Sequence, residues 1–245
     1  MNAEVAEGVC RLGTFWVNWY VVEDGGRLTV VDAGLPQYWD QLTASLAAMG
    51  RRLSDVEAVV LTHNHLDHLG CAERLRAESG GRAYIHPADA AVARGEERPK
   101  PPPGALAAAR RLGFIIFMAH VASQGGMGLT PITDSAPLAD GEQLDVPGRL
   151  RVIATPGHTP GHCSLLLGER GVLFAGDALA TFDATTRTRG PRLLSINADR
   201  EQALASLSQL EGTGATTVLP GHGAPWRGDV AEAVRRAREA SAVGR

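Results

Sequence analysis

The stretch 61-LTHNHLDHLG-70 places three histidines and one aspartate within six positions, directly after the apolar run 57-EAVVL-61. Such a run has the composition of a buried strand. Crowded imidazoles lose proton affinity, and neutral imidazole is the form that binds metal ions. In an extended loop side chains alternate with a period of two, so His63 and His65 point the same way, whereas Asp67 and His68 can face a second site. The stretch predicts a metal site at the end of a strand.

Residues that can bind metals also follow three other predicted strands. Each of these strands is a short apolar run bounded by Gly, Pro or charged residues. Because strands that finish at the same edge of a sheet bring distant residues together, we expect these residues to complete the site. The three stretches are 155-TPGHTPGH-162 after 150-LRVIA-154, 176-GD-177 after 171-GVLFA-175, and 220-PGHG-223 after 216-TTVL-219.

The chain is organised as two portions with the same order of elements. In each portion a strand ending in Asp leads through a helix to a strand ending in His, which predicts two related βαβ-like halves of an α/β fold. The helices are predicted from apolar residues spaced three and four apart and from terminal glycines. They are 37-QYWDQLTASLAAMG-50, 199-DREQALASLSQLEG-212 with Asp199 as N-cap, and a surface helix at 228-GDVAEAVRRAREA-240.

We predict one domain over residues 1–245, with an insertion at about 95–137. The insertion opens with 98-RPKPPPG-104, which is incompatible with a regular helix or a central strand. Long insertions in compact domains often form a lid or a pocket wall, and a surface loop without function is the equal alternative.

Composition argues against several classes of protein. The 245 residues are 44% hydrophobic, and 24 Lys and Arg nearly balance 27 Asp and Glu, so neither nucleic acid nor an anionic membrane is an expected partner. The three cysteines form no CxxC pair, and residues 1–13 lack a secretory signal. The longest apolar run, residues 114–122, is too short to cross a membrane. We therefore expect a cytoplasmic protein that acts on a small molecule; its oligomeric state is not predicted.

Five stretches together resemble the motifs of the metallo-β-lactamase superfamily. This resemblance implies an αββα sandwich, in which two facing mixed sheets carry helices on their outer sides and a dinuclear metal site lies at one edge. The strand and helix order fits from about residue 13 to 240. The stretches are, in order, 29-TVVDAG-34, 62-THNHLDH-68, 155-TPGHTPGH-162, 176-GDA-178 and 220-PGHG-223.

The resemblance also implies a set of ligands for two Zn²⁺ ions, with Fe or Mn as alternatives. Asp32 and His162 would support the ligand loops through hydrogen bonds without binding metal. The choice of His158 over His162 as the ligand comes from the resemblance alone. The first metal would take His63, His65 and His158, the second Asp67, His68 and His222, and Asp177 would bridge both.

The expected activity is hydrolysis of a small ester, thioester or lactone. A hydroxide bridging two metal ions would attack the carbonyl carbon, and Asp67 would act as a catalytic residue that steers it or relays a proton. Three alternatives remain: a mononuclear iron enzyme like the persulfide dioxygenases, using His63, His158 and Asp177, a β-lactam hydrolase, and a non-enzymatic binding module that kept the fold and lost its metals. The second is disfavoured because true β-lactamases of this fold usually lack an aspartate at the position of Asp177.

The sequence identifies no substrate-binding residue. The lactonase tyrosine expected shortly after Asp177 is replaced by Phe182. Three arginines in 186-TRTRGPR-192 could clamp an anion, but a solvated loop is the favoured interpretation. His86, His120 and the apolar stripe Phe114, Ile115, Phe117 and Met118 could line a pocket, and packing explains them equally well.

Overall fold

The computed structural model describes residues 3–242, which form two large mixed sheets. The first sheet has seven strands in chain order. Neighbouring strands are antiparallel from the first to the fourth and parallel from the fourth to the seventh. The sheet consists of β1 (Ala3–Ala6), β2 (Val9–Gly13), β3 (Asn18–Asp24), β4 (Arg27–Val31), β5 (Val56–Val60), β6 (Arg82–Ile85) and β7 (Ala136–Pro137).

The second sheet has five strands, and a separate two-stranded ribbon follows its third strand in sequence. Its order is β14-β13-β10-β9-β8, with β10 and β13 parallel and the other neighbours antiparallel. The sheet consists of β8 (Arg151–Ala154), β9 (Cys163–Leu167), β10 (Val172–Gly176), β13 (Thr217–Pro220) and β14 (Trp226–Arg227), and the ribbon of β11 (Ala180–Asp183) and β12 (Thr188–Arg192).

Helices cover the outer sides of both sheets. The first sheet carries α1 (Trp39–Ala48), α3 (Ala72–Ser79) and α4 (Pro87–Ala93), and the second carries α7 (Arg200–Glu211) and α8 (Val230–Ala242). The short helix α2 (Leu66–Leu69) lies just beyond β5. The predicted αββα sandwich of two mixed sheets is confirmed.

Alternate residues of the central strands pack into different apolar layers. In β3, Val21 contributes to the layer beneath the first set of helices, whereas Tyr20 and Val22 contribute to the layer between the sheets. In β9, Leu166 packs under α7 and α8, whereas Leu165 faces the other sheet. Strands buried on both faces read as continuous apolar runs, and this is why the sequence revealed them.

The two βαβ-like halves are also confirmed. β4 and β5 are parallel neighbours connected through α1, and β10 and β13 are parallel neighbours connected through α7. Asp199 caps α7, because its side chain accepts a hydrogen bond from the backbone N–H of Gln202 at 2.9 Å. The predicted helix at 37–50 begins as a 3₁₀ turn at Pro36–Tyr38.

The segment 95–137 contains α5 (Ala105–Ala108) and α6 (Leu112–Ser123) and ends in the edge strand β7. Its proline-rich start at 98–104 forms neither helix nor strand. Val121 of α6 is buried in the outer apolar layer of the first sheet, which anchors the helix to the body of the protein. Within residues 3–242, no helix is long and apolar enough to cross a membrane.

Candidate metal centre

The predicted ligands lie on loops that leave the strands at one edge of the sandwich. β5 ends at Val60, and the loop after it and α2 carry the residues of the 61–70 stretch. Asp177 follows β10, and the loop after β13 leads to His222. His158 and His162 lie on the turn between β8 and β9. Loops that are far apart in the sequence therefore meet at one place.

One group of potential metal-binding atoms belongs to His63, His65, His158 and Asp177. Their ligand atoms all lie within 4.8 Å of one another. Nε2 of His158 lies 3.0 Å from Nδ1 of His65 and 3.2 Å from Oδ2 of Asp177. Nε2 of His63 lies 3.8 Å from the same carboxylate oxygen. We refer to these four residues as the first donor set.

A second donor set consists of Asp67, His68 and His222, whose ligand atoms also lie within 4.8 Å of one another. Oδ2 of Asp67 lies 3.4 Å from Nε2 of His222 and 3.6 Å from Nε2 of His68. Asp177 is close to this set too: Oδ1 lies 3.6 Å from Nε2 of His68, and Oδ2 lies 3.1 Å from Nε2 of His222. The Asp177 carboxylate thus lies between the two sets.

Several atoms facing this centre are buried without a hydrogen-bond partner. They are Nε2 of His63, Nε2 of His68, Oδ2 of Asp67 and Oδ1 of Asp177. A buried polar atom without a partner costs about 1–3 kcal/mol, so four of them converging on one point need an explanation. Nitrogen and carboxylate oxygen are the ligands that zinc and iron accept, and the donor sets therefore fit metal ions.

Hydrogen bonds on the outer side of the imidazoles orient four of them toward the centre. Nδ1–H of His68 donates to Asp32, that of His222 to the carbonyl of Trp16, and that of His158 to Oδ1 of Asn197. Nδ1 of His63 lies 2.9 Å from the Thr62 hydroxyl, which itself donates to Asp32. With Nδ1 protonated, a neutral imidazole directs the Nε2 lone pair inward, as metal binding requires.

Asp32 holds the loop that carries the histidines, as its predicted supporting role requires. Its carboxylate accepts hydrogen bonds from the backbone N–H and the hydroxyl of Thr62 at 2.8 and 2.9 Å, besides that from His68. The residue has a φ of 59°, a conformation that is uncommon outside glycine. Asp32 is itself buried and belongs to neither donor set.

His162 uses both ring nitrogens within the protein. Nδ1–H donates to the hydroxyl of Thr155 at 2.8 Å, and Nε2 accepts from the backbone N–H of Asp177 at 2.9 Å. The structure therefore places His162 behind the centre, where it connects the start of the His158 loop to the residue between the two donor sets. His158 alone of the pair belongs to a donor set.

The charged neighbours divide the histidines into two classes. Burial and the adjacent imidazoles hold the pKa of His63 well below 6.5, and burial with His158 lowers that of His65 to about 3. Burial also lowers the pKa of His68, but the carboxylates of Asp32, Asp177 and Asp67 outweigh it and raise the pKa to about 10. Burial likewise lowers the pKa of His222, but the Asp177 carboxylate outweighs it and raises the pKa to about 9. Without metal, protons on these two histidines offset the negative charge of the second set.

Three residues that support the centre were not predicted from the sequence. The buried Asp89 accepts hydrogen bonds from the Thr159 hydroxyl and from the backbone N–H groups of Gly161 and Asn64, so it joins two ligand loops. Asn18 and Tyr20 donate to the carbonyl of Pro220 at 2.9 and 2.7 Å and fix the loop that leads to His222. Their partners lie far away in sequence, and no local pattern marks them.

A cavity of about 240 Å³ opens onto the centre and reaches residues of both donor sets. Three residues of the apolar stripe in α6, Phe114, Phe117 and Met118, line it, whereas Ile115 is half exposed. The insertion therefore forms one wall of the cavity.

The other candidates for substrate binding lie outside this cavity. None of the arginines of 186–192 is among its lining residues, and Arg189 instead stacks on the ring of Phe15. His120 hydrogen-bonds to the hydroxyl of Tyr38 at 2.7 Å and packs beside Trp16.

Comparison with known proteins agrees with this architecture. A family model described as the metallo-beta-lactamase superfamily matches residues 12–222. A crystal structure of the metallo-beta-lactamase family protein TTHA1429 from Thermus thermophilus superposes with a TM-score of 0.72 at 30% identity, covering 98% of this chain and 81% of that one. A structure of TTHA1623 in a di-iron-bound form has a TM-score of 0.60 at 29% identity, covering 89% and 92%.

Curated relatives are similar over most of this chain. The protein named "Probable metallo-hydrolase YflN" of Bacillus subtilis is 28% identical, covering 92% of this chain and 87% of its own length. An atrochrysone carboxyl ACP thioesterase of Aspergillus fumigatus is 26% identical over 84% of this chain, which spans half of that enzyme. A hydroxyacylglutathione hydrolase of Klebsiella pneumoniae is 25% identical over 76% of this chain and 58% of its own length.

Proposed function

The chain belongs to the metallo-β-lactamase superfamily, a family of metallo-hydrolases, and from that premise we propose that it is a hydrolase that binds two zinc ions and cleaves a small ester, thioester or lactone. The observation that carries the proposal is the convergence of buried, partnerless atoms from His63, His68, Asp67 and Asp177. These atoms come from both donor sets, with the Asp177 carboxylate between them.

The two donor sets support the proposal of two metal ions. Either set alone offers at least three protein ligands, which is what a zinc ion with an open position requires. Imidazole and carboxylate ligands without thiolate also suit iron and manganese, and the di-iron form of TTHA1623 is a precedent among similar structures. Zinc is proposed because it binds more tightly than manganese or iron(II) to a given set of such ligands.

Bound metals would supply a Lewis acid for the substrate carbonyl and lower the pKa of a bound water toward neutrality. The protein's own residues supply the rest. Asp67 lines the cavity, and its carboxylate would orient the attacking water and pass its proton to the leaving group. Asp177 is held rigidly, because His162 accepts its backbone N–H. Phe117 packs against the His222 ring and limits the access of bulk water.

The size and lining of the cavity support a small substrate. A volume of about 240 Å³ admits a molecule of low molecular weight rather than a folded partner. The names of two relatives, a thioesterase and a hydroxyacylglutathione hydrolase, support a carbonyl substrate with a thiol leaving group.

The mononuclear iron oxygenase is the second candidate. Its metal would need only His63, His158 and Asp177. An oxygenase with one iron would leave Asp67, His68 and His222 without a function. The presence of this second donor set is the reason for preferring the hydrolase. One iron per chain with thiol-dependent oxygen uptake would establish the oxygenase instead.

The proposal is tested with the chelated protein reloaded with zinc and offered esters, thioesters, lactones and β-lactams. We expect zinc-dependent hydrolysis in at least one of the first three classes and none of β-lactams. His63→Ala should lose bound metal and turnover together. His86→Ala removes a histidine outside both donor sets and should retain two equivalents of metal. Full turnover by chelated and dialysed His63→Ala protein would refute the proposed role of the metal.

A further inference from the structure

A second cavity lies beside the first and meets it at the metal centre. Its volume is about 310 Å³. The two cavities share His65 and His158 of the first donor set, together with Pro102 and Ile196. A molecule whose reacting bond lies over the centre therefore has space on two sides.

The two cavities differ in chemical character. The side chains of the first, apart from the donor sets, are mainly apolar and include Leu66, Phe114, Phe117, Met118 and Leu194. The lining of the second includes five prolines, but it also carries polar and charged groups, among them Asn64, Thr159, Glu97, Arg98 and Lys100. We refer to the two cavities together as the cleft. Its first cavity thus suits a hydrocarbon chain, and its second suits a hydrated, charged group.

The charge of the second cavity is net positive. Arg98 and Lys100 face a single carboxylate, that of Glu97, and neither cation takes part in a salt bridge within the described residues. The next cation along the chain, Arg94, is already paired with Glu96 at 2.7 Å. Two cations without protein partners at the rim of a cavity can bind an anionic group of a ligand.

The backbone around these cations is restricted. Arg98 and Lys100 are each followed by proline, and Pro102 and Pro103 complete the run. Proline fixes its own φ and confines the preceding residue to extended conformations, so the two cations lose little backbone entropy when a ligand binds. The proline-rich run at 98–104 therefore holds both cations at the rim of the second cavity before a ligand binds.

We propose that the cleft binds an open-chain ester or thioester with two unlike ends, namely an apolar acyl group in the first cavity and an anionic thiol or alcohol in the second. This inference rests on the proposed function and narrows it, because a lactone has no separate leaving group. In the reaction, water adds its oxygen to the acyl carbon, the C–S or C–O bond breaks, and the leaving group departs with a proton. Carboxylates and phosphates are both suitable anions.

The test compares three octanoyl thioesters, those of neutral N-acetylcysteamine, glutathione and coenzyme A. We expect higher kcat/KM for one or both anionic thioesters, and the preferred one distinguishes carboxylate from phosphate. An Arg98→Gln, Lys100→Gln double variant should lose about five- to tenfold on the preferred anionic thioester and less than about twofold on the neutral one. The preference should also shrink as salt is added.

Two controls separate this inference from the proposed function. Arg94→Gln removes a cation that is already paired outside the cavity and should leave the preference unchanged. Dissociation constants of the uncleavable octanoyl thioethers test binding without turnover: the double variant should weaken only the anionic thioether. If the double variant weakens only the anionic thioether but the protein hydrolyses no thioester, the proposed thioesterase activity is overturned and the proposed binding of the anionic end is retained. If the double variant weakened the neutral and the anionic thioethers equally, the proposed binding of an anionic end by Arg98 and Lys100 would be overturned.

Discussion

Nδ1 of His68 lies 2.9 Å from Oδ2 of Asp32, and both side chains are buried. This contact connects the end of β4 to the second donor set. A carboxylate behind a ligating imidazole fixes the ring and increases its basicity, which strengthens metal binding. The same Asp32 carboxylate accepts two hydrogen bonds from Thr62, so one residue orients both the loop and the ligand.

Asp32→Asn should therefore weaken metal binding at the second donor set by about 10- to 100-fold. Zinc binding at the first donor set should weaken less, since His65 and His158 make no contact with Asp32 and His63 is connected to it only through the Thr62 hydroxyl. A calorimetric zinc titration measures both steps. Asp40→Asn, at an exposed position in α1, is the matched control. Equal loss at both steps would contradict the specific link to His68.

Gly221→Ala should abolish metal binding, because the added methyl group clashes with ligand residues. A Cβ at this position would lie 2.1 Å from Oδ1 of Asp177 and 2.7 Å from the His68 ring, so the methyl group would displace one residue of each donor set. Metal content after dialysis measures the effect. Gly212→Ala adds a methyl group where nothing lies within 4 Å and should bind two equivalents. Full metal content in Gly221→Ala protein would show that the loop can move aside at no cost.

Asp89→Ala should destabilise the fold by about 3 kcal/mol, since it leaves the buried donors of Thr159, Gly161 and Asn64 without an acceptor. Urea unfolding measures the loss. Asp145→Ala, at an exposed site, should change the free energy of unfolding by less than about 0.5 kcal/mol. A neutral Asp89→Ala variant would mean that the two ligand loops are held by other contacts.

The metal-free protein should lose stability as the pH rises from about 6.5 to 10. The folded protein raises the pKa of His68 to about 10 and that of His222 to about 9, so over this range it retains protons that the unfolded chain, with an ordinary pKa of 6.5, has released. The state that binds more protons is disfavoured as the pH rises. Thermal unfolding of chelated protein at several pH values measures the decline.

Zinc should remove this alkaline loss, because a metal ion replaces the protons on both imidazoles. The zinc-loaded protein is the control for base damage elsewhere in the chain. Parallel declines with and without zinc would indicate that other groups cause the effect.

The central strands were predicted because they are buried on both faces, whereas the sandwich arrangement followed from the family resemblance. β5, β8, β10 and β13 were predicted within a residue at each end. The hairpin β1–β2 was not predicted, since it is short and partly exposed. α3 was also missed: only Ala72 and Leu75 are buried, which is too few for an apolar period to appear.

The donor residues were readable because metal ligands are compact motifs at strand ends. The residues that hold them were not readable, because Asp89 and Asn18 act on loops far away in sequence. The insertion was recognised by its prolines, yet only the structure shows that Phe117 faces the centre and Ile115 does not. Side-chain direction within a helix depends on what the helix packs against, and a short stripe does not specify that.

Anomalous diffraction from zinc-loaded crystals, collected on either side of the zinc absorption edge, tests the central claim most directly. We predict two peaks per chain, one among His63, His65 and His158 and the other among Asp67, His68 and His222, with Asp177 contacting both. No peak, or a single peak with the second donor set pointing away from it, would contradict the account.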